Sequence, residues 1–314
     1  MTLRRVTVIG GSGFVGRYVV QHVAATGAVV RVGVRQPVDA YFLQPLGDVG
    51  QIVSVRADVR DPVSLRVACE GAEAVINLVG ILYESGKSTF AAVHAEGAGN
   101  VAAAARAAGA RRFVQMSAIG ADLRSPAEYA RSKAAGEKAV RKAFPGATVL
   151  RPSIIFGPED DFFNRFARLA RIAPVLPVFP CRFQPVYVGD VADAVMAVLA
   201  KPGSEGQTYE LGGPQIYTFR EILELIGAET GRRRLLVPVP IWLALLEAFF
   251  LERLPGPPLL TRDQVRLLER DNVVAKTAST FADLGIAPRA AEAILPTYLA
   301  QYRRGGPFHS AVTP

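Results

Sequence analysis

Cysteine and histidine are scarce in this chain of 314 residues. Its two cysteines, Cys69 and Cys181, lie far apart and form no C-x-x-C pair, and its three histidines, His22, His94 and His309, show no metal-ligand spacing. That scarcity argues against a disulfide framework, a zinc site and a catalytic metal. Long apolar runs are missing too. The longest, around residues 235–251, is interrupted by Pro238, Pro240 and Glu247, which makes it too short and too broken for a transmembrane helix. A strand begins almost at once with Arg4-Arg5-Val6-Thr7-Val8-Ile9, and no apolar h-region precedes it. Neither a secretory signal nor a cleaved presequence is therefore expected. RNP-like, zinc-finger and helix-turn-helix signatures are absent, so nucleic acid is not an expected partner. There is no internal repeat and no low-complexity segment.

Half of the residues are hydrophobic and a fifth are charged, a composition that buries a large core. Lys and Arg total 36 against 28 acids, a formal charge of +8. That balance favours anionic partners such as a phosphorylated cofactor or an acidic lipid surface; a general Arg-rich, Ala-rich bias would produce it as well. Nearly all-apolar runs at Val6–Gly10, Val29–Val34, Ile52–Val55, Ala74–Leu78, Phe113–Met116 and Thr148–Arg151 read as parallel strands covered on both faces. Helical patterns separate them: Val63–Glu70, opened by Asp61 and Pro62, then Ala95–Ala108 and Pro126–Phe144. This alternation predicts an α/β fold, a Rossmann-type doubly wound parallel sheet with a smaller, mostly helical C-terminal cap. The Rossmann domain is placed at 1–151, its sheet completed by segments from about 184–213. Residues 152–314 form an interleaved cap and partner- or membrane-facing region. Pro174, Pro177, Pro180 and Pro185 mark an irregular stretch, followed by a helix at Asp190–Leu199, a strand at Thr208–Leu211 and a capping box at Thr218-Phe-Arg-Glu221.

The strongest local signal is Val8-Ile9-Gly10-Gly11-Ser12-Gly13-Phe14-Val15-Gly16, a glycine-rich turn between a strand and a helix. Gly10 permits the tight turn, Gly13 the approach of a pyrophosphate and Gly16 close helix packing, with Gly11, Ser12, Phe14 and Val15 completing a dinucleotide cradle. The next strand ends at Val34-Arg35, nineteen residues after Gly16. An NAD site would place an acid there. Arg35 instead suits a 2′-phosphate, so NADPH is expected rather than NAD, with Asp39 as the competing contact. Asp58 and Val59 follow the third strand, where a carboxylate can accept from the adenine amino group; Asp58 could equally cap its loop. Leu78, Val79 and Gly80 end the fourth strand, where a small residue lets the backbone pass a cofactor. Tyr129-Ala-Arg-Ser-Lys133 puts Tyr129 and Lys133 at i and i+4 on one helical face. The pair resembles that of dehydrogenases, in which the ammonium lowers the phenol pKa and holds a ribose while the phenol exchanges a proton.

Together these residues resemble the extended and atypical short-chain dehydrogenase/reductase superfamily. A closer likeness rests on Arg151-Pro-Ser-Ile-Ile-Phe-Gly-Pro-Glu-Asp-Asp-Phe-Phe-Asn-Arg-Phe166, Gln184-Pro-Val-Tyr-Val-Gly-Asp-Val191 and Leu260-Thr-Arg-Asp-Gln-Val265. On these runs the chain resembles the NADPH-binding, dehydrogenase-like accessory subunits of respiratory complex I and their bacterial relatives. The resemblance implies a tightly held, structural nucleotide, a place beside complex I subunits near the quinone site, and a cytoplasmic, peripheral location at the inner face of the bacterial inner membrane. It adds Pro152 and Ile154 to the cofactor contacts.

Active members of the superfamily carry a Ser just after the fifth strand. Aligning Phe113-Val-Gln-Met-Ser-Ala118 places that position at Ala118, with Ser117 one residue early and so facing the other side. Tyr129 and Lys133 then form an incomplete triad, and Lys133 with Ser117 can still touch a bound cofactor. The alternatives are an active NADPH-dependent reductase, connected with ubiquinone biosynthesis in a neighbouring branch, and last a sugar-nucleotide epimerase. The segment Leu235–Leu251 follows Arg232-Arg233-Arg234 and contains Trp242, Phe249 and Phe250. It reads either as the core of the cap or as a surface for partners or lipid.

Overall fold

Short branched apolar runs separated by helical periods give this protein a parallel sheet. The computed structural model describes residues 3–253, 256, 258–303 and 305; His309 lies outside the described residues. Strand β1 (Arg5–Ile9) leads into α1 (Phe14–Ala24), β2 (Val29–Val34), a 3-10 segment (Pro37–Leu46) and β3 (Ile52–Arg56). Then come α2 (Pro62–Cys69), β4 (Ala74–Asn77), a π-helical turn (Ala91–Glu96) running into α3 (Gly97–Ala107), β5 (Arg112–Met116), α4 (Glu128–Ala143) and β6 (Thr148–Pro152). The chain continues through β7 (Ile155–Phe156), α5 (Phe162–Ile172), β8 (Val175–Val178), β9 (Arg182–Phe183), β10 (Val186–Tyr187), α6 (Val188–Ala200) and β11 (Thr208–Leu211). It ends with β12 (Tyr217–Thr218), α7 (Phe219–Thr230), β13 (Leu235–Pro238), α8 (Ile241–Leu251), α9 (Arg262–Leu267) and α10 (Ala291–Leu299).

Two compact units result. The first comprises Met1–Pro152, Gly189–Leu211 and Ala275–Ile286. Its seven strands run in the order β11-β6-β5-β4-β1-β2-β3, every neighbour parallel. The connection order reverses between β1 and β4, so this sheet has its switch point where those two carboxyl ends meet. α1 buries Gly16, Val19, Val20, Val23 and Ala24, one stripe at helical spacing. The Asp61 carboxylate accepts from Val63 N at 3.0 Å and caps α2, with Pro62 in the first turn. The helix expected from Ala95 starts earlier, at the π-helical turn, because Glu84 and Thr89 side chains accept from the N–H groups of Phe90 (2.6 Å) and Ala92 (3.1 Å). Residues Ala275–Ile286, which carry no strand pattern, attach to the edge strand β11. Glu210 N donates to Ser279 O at 2.8 Å, and Ala275 N donates to the Glu210 carboxylate at 2.9 Å.

The second unit comprises Ser153–Val188, Gly212–Val274 and Ala287–Pro314. Its core is aromatic: Phe219 meets the rings of Phe162, Phe166, Phe179 and Phe183 at centroid distances of 5.4–6.1 Å. The stretch read as irregular holds three short strands. β8 pairs with β13, β9 with β12 and β10 with β7. The prolines at 174, 177, 180 and 185 keep these strands to two to four residues. Thr218 and Glu221 form the anticipated capping box on α7.

Helix α5 buries Phe163, Asn164, Ala167 and Ala170 at helical spacing, and a buried carboxylate explains where it begins. Asp160 accepts from Phe163 N (2.6 Å), Asn164 N (3.2 Å) and Gly157 N (3.2 Å). It also accepts from the Tyr298 hydroxyl at 2.6 Å, and Asn164 Oδ1 accepts from Tyr302 at 2.9 Å. Residues four apart near the end of the chain thus hold residues four apart at the start of α5. Burial raises the Asp160 pKa, and the hydrogen bonds oppose that shift.

On α8 the side chains of Trp242, Leu243, Leu246, Phe249 and Phe250 are exposed, while Ala244 and Ala248 are buried. Among the described residues no helix is long and apolar enough to cross a membrane. Tyr298→Phe should lower unfolding free energy by about 1.5–3 kcal/mol, the size of a buried hydrogen bond to a charged group. Denaturant unfolding of the full chain measures it. A change inside roughly 0.5 kcal/mol, as for an ordinary surface substitution, would show that the Asp160 contact does not anchor the C-terminal helix.

Candidate nucleotide-binding site

β1 ends at Ile9, and the chain turns at Gly10 with φ +82°, a conformation that side chains disfavour. Gly10 N donates to Gly33 O at 2.8 Å and Gly13 N to Gly10 O at 3.1 Å. A Cβ on Gly16 would lie 2.5 Å from the carbonyl oxygens of both Gly10 and Gly11, so only glycine lets α1 start this close to the turn. Ser12, Phe14 and Val15 are half-buried and Gly13 is exposed. No side chain caps α1, and its first turn contains no acid. The N–H groups of that turn therefore offer an anion site beside the β1/β4 switch point.

Arg35, just past β2, is exposed, as is Asp39 in the 3-10 segment. Asp58 follows β3. Its carboxylate is held by Arg60, with Nε to Oδ1 at 2.9 Å and Nη2 to Oδ2 at 2.6 Å, and it also accepts from Arg60 N at 3.0 Å. Arg60 holds the acid below its usual range, with Arg35 adding to the effect. Asp58 therefore caps its own loop. Val59 is buried, and its carbonyl accepts from Asn100 at 3.0 Å. After β4, Leu78 and Val79 are half-buried, and Val79 N donates to Asn77 Oδ1 at 3.2 Å. Gly80 abuts the pair on α4: a Cβ there would lie 3.1 Å from Lys133 Nζ.

Lys133 Nζ sits 5.7 Å from the centre of the Tyr129 ring. Burial pushes the Lys133 pKa down to about 8 against the attraction of Glu137, and it pushes Tyr129 up to about 12. Both groups keep their protons at neutral pH. Ser117 is buried and donates to Glu137 Oε1 at 2.5 Å, and position 118 has no hydroxyl to offer. Pro152 is buried at the end of β6 in the first unit; Ile154 belongs to the second unit and packs against its aromatic core.

Sequence reasoning missed His94. Its Nε2 accepts from Ile81 N at 2.9 Å, which leaves Nδ1 to carry the proton and donate to Ser132 Oγ at 2.9 Å. The ring stacks on Phe90 (5.4 Å) and meets Tyr129 edge-on (5.4 Å), and Ser132 Oγ donates to Tyr129 O at 2.7 Å. His94 thus joins the end of β4 to the Tyr129–Lys133 turn. Among the described residues, no three or more His, Cys, Asp or Glu side chains are placed to hold a metal.

A model of the NAD dependent epimerase/dehydratase family matches residues 6–212. The chain is 37% identical to the mitochondrial "NADH dehydrogenase [ubiquinone] 1 alpha subcomplex subunit 9" of Arabidopsis thaliana, across 98% of this chain and 80% of that protein. It is 33% identical to the mitochondrial "NADH-ubiquinone oxidoreductase 40 kDa subunit" of Neurospora crassa, across 95% and 79%. Among solved structures, Citrobacter sp. triphenylmethane reductase complexed with NADP(H) is similar at a TM-score of 0.72. The two are 20% identical over 92% of this chain and 97% of that one, a likeness of fold alone.

The His94 geometry sets a pH dependence. Burial, then the Lys133 charge, lower its pKa from 6.5 to about 3. The folded state therefore binds fewer protons than the unfolded state between these values, so stability is fully present above about pH 6.5 and is lost as pH falls toward 3. The slope contributed by one such group is at most about 1.4 kcal/mol per pH unit. His94→Gln should flatten the fall of Tm across that window relative to the parent chain. Parallel curves for the two proteins would remove His94 from this role.

Proposed function

The chain belongs to the NAD dependent epimerase/dehydratase family and, over nearly its full length, to the family of the alpha subcomplex subunit 9 proteins; from that premise we propose that it is an NADPH-binding accessory subunit of respiratory complex I whose nucleotide is structural. The single observation carrying this reading is the likeness across 98% of the chain to a protein named as a subunit of that complex. The Gly10–Val15 turn would cradle the pyrophosphate, Arg35 would face the 2′-phosphate, and Lys133 would hold the nicotinamide ribose. Val59, Leu78, Val79 and Gly80 would line the cofactor, with Ser117 and Pro152 as further contacts. Asp58 would act on the adenine side only through its pair with Arg60. When bound, the nicotinamide supplies a hydride. The residues that would direct it to a carbonyl are incomplete, since Ala118 stands at the Ser position and the neighbouring Ser117 is bonded to Glu137.

A second reading, an NADPH-dependent reductase that turns over, is favoured by one observation, the adjacency of Tyr129 and Lys133. We place the protein at the cytoplasmic face of a bacterial inner membrane, beside the quinone site, with the exposed apolar face of α8 toward partner subunits or lipid.

Two measurements test this. Arg35→Ala should weaken NADPH roughly tenfold or more while barely changing NADH, as expected for a charge-assisted contact of about 1.5–3 kcal/mol; equal losses would remove Arg35 from the 2′-phosphate. In membranes from a strain lacking complex I, the protein should leave the membrane fraction. In the parent it should co-migrate with the complex on native gels and resist salt washing, because apolar burial is not screened. Identical distribution in both strains would overturn the subunit reading and favour the reductase.

A further inference from the structure

The second unit contains a cleft of about 550 Å3 between α7, α5 and the β8/β13 pair, and its wall is cationic. Arg220, Arg232, Arg233 and Arg234 line it, and Glu224 is the one carboxylate among its lining residues. Backbone carbonyls hold three of the guanidinium groups in place. Arg234 Nε donates to Ala170 O at 2.7 Å, Arg232 Nε to Tyr302 O at 3.1 Å and Arg220 Nη2 to Leu236 O at 3.4 Å. Glu224 pairs with Arg220, at 4.0 Å. Arg233 is exposed and pairs with no carboxylate among the described residues. Arg220, Arg233 and Arg234 meet a single carboxylate among the lining residues, and main chain fixes two of them, so together they form a receptor for a phosphate group.

The rest of the cleft is apolar: Leu176, Leu223, Leu235 and Leu236. Leu235 is 65% exposed. Its strand passes through Val239 and Pro240 directly into α8, where Trp242, Leu243, Leu246, Phe249 and Phe250 are also exposed. A free phosphate would gain nothing from this lining. Among the described residues, no aromatic ring lines the cleft on which a base could stack. Cations beside exposed apolar side chains that follow them in the chain match an amphiphile. We propose that this cleft seats the phosphate headgroup of an anionic phospholipid, whose acyl chains run along Leu235 toward α8. The path of the chains rests on the reading of α8 as a surface open to lipid; the headgroup site rests on the arginines alone.

Vesicle sedimentation with the full-length protein separates the two. The vesicles are phosphatidylcholine alone or phosphatidylcholine mixed with phosphatidylglycerol. The parent should prefer the phosphatidylglycerol vesicles. Arg233→Ala should weaken that binding roughly fivefold and Arg220→Ala with Arg233→Ala further, leaving NADPH affinity unchanged. Neither substituted side chain is buried, so folding is spared. Trp242→Ala with Phe250→Ala should weaken binding to both kinds of vesicle while the phosphatidylglycerol preference persists. Soluble glycerol phosphate, a headgroup without chains, should not compete. The headgroup site is overturned if the parent shows no preference for phosphatidylglycerol, or if the arginine variants bind like the parent. Competition by glycerol phosphate would assign the cleft to a soluble phosphate ester and overturn the lipid. If only the α8 variant binds like the parent, the reading of α8 fails and the headgroup site stands.

Discussion

The first unit is organised around a carboxylate buried between a helix and the sheet. Glu137 on α4 receives Arg151 of β6 in a bidentate pair, Nε to Oε1 at 2.9 Å and Nη2 to Oε2 at 2.7 Å, together with the Ser117 hydroxyl from the end of β5. Arg151 reaches on to Glu210 of β11 at 3.5 Å, and that carboxylate accepts from Ala275 N. Burying one ion of this kind costs several kcal/mol unless each of its oxygens is satisfied. Here they are, and the chain of contacts joins α4, three strands and the 275–286 segment. Arg151 keeps its charge more tightly than usual because Glu137 is bonded to it.

That pair has a consequence for chemistry. Tyr129, Lys133 and Glu137 are spaced by four along α4 and share a face. Fixing Glu137 against Arg151 fixes the rotation of the helix and so aims Lys133 at the end of β4, where Gly80 makes room for it. The same interaction takes up the Ser117 hydroxyl. One buried contact thus positions the lysine and engages the Ser117 hydroxyl. His94 supports the arrangement from the π-helical turn and does so only while neutral, since a second ring proton would face the Ile81 N–H.

The second unit is organised differently. Asp160 and Asn164 hold Tyr298 and Tyr302, so the Gly-Pro-Glu-Asp-Asp-Phe-Phe-Asn run that carries the family resemblance is, in the structure, a clamp on the C-terminal helix. Its core is filled by phenylalanines in edge-on and tilted contacts, while Leu235 of β13 and Trp242, Leu243, Leu246, Phe249 and Phe250 of α8 are exposed.

Features set within a few residues were legible in the sequence. The strands of the sheet, the Gly10–Gly16 turn, the Asp61 cap and the Thr218–Glu221 capping box all depend on apolar period or on contacts reaching no further than one helical turn. The Tyr129–Lys133 spacing is of the same kind. What only the tertiary structure decided are contacts between residues far apart in the chain. His94 meets Ser132 across 38 positions, and Asp160 meets Tyr298 across 138. Ala275–Ile286 joins β11 through main-chain atoms that carry no sequence signal, and the two-residue strands between prolines are too short to show a period. Local order follows from side-chain size, caps and alternation, which a sequence displays directly. The partner of a buried polar group follows from which elements the fold brings together, and no short window of sequence contains that information.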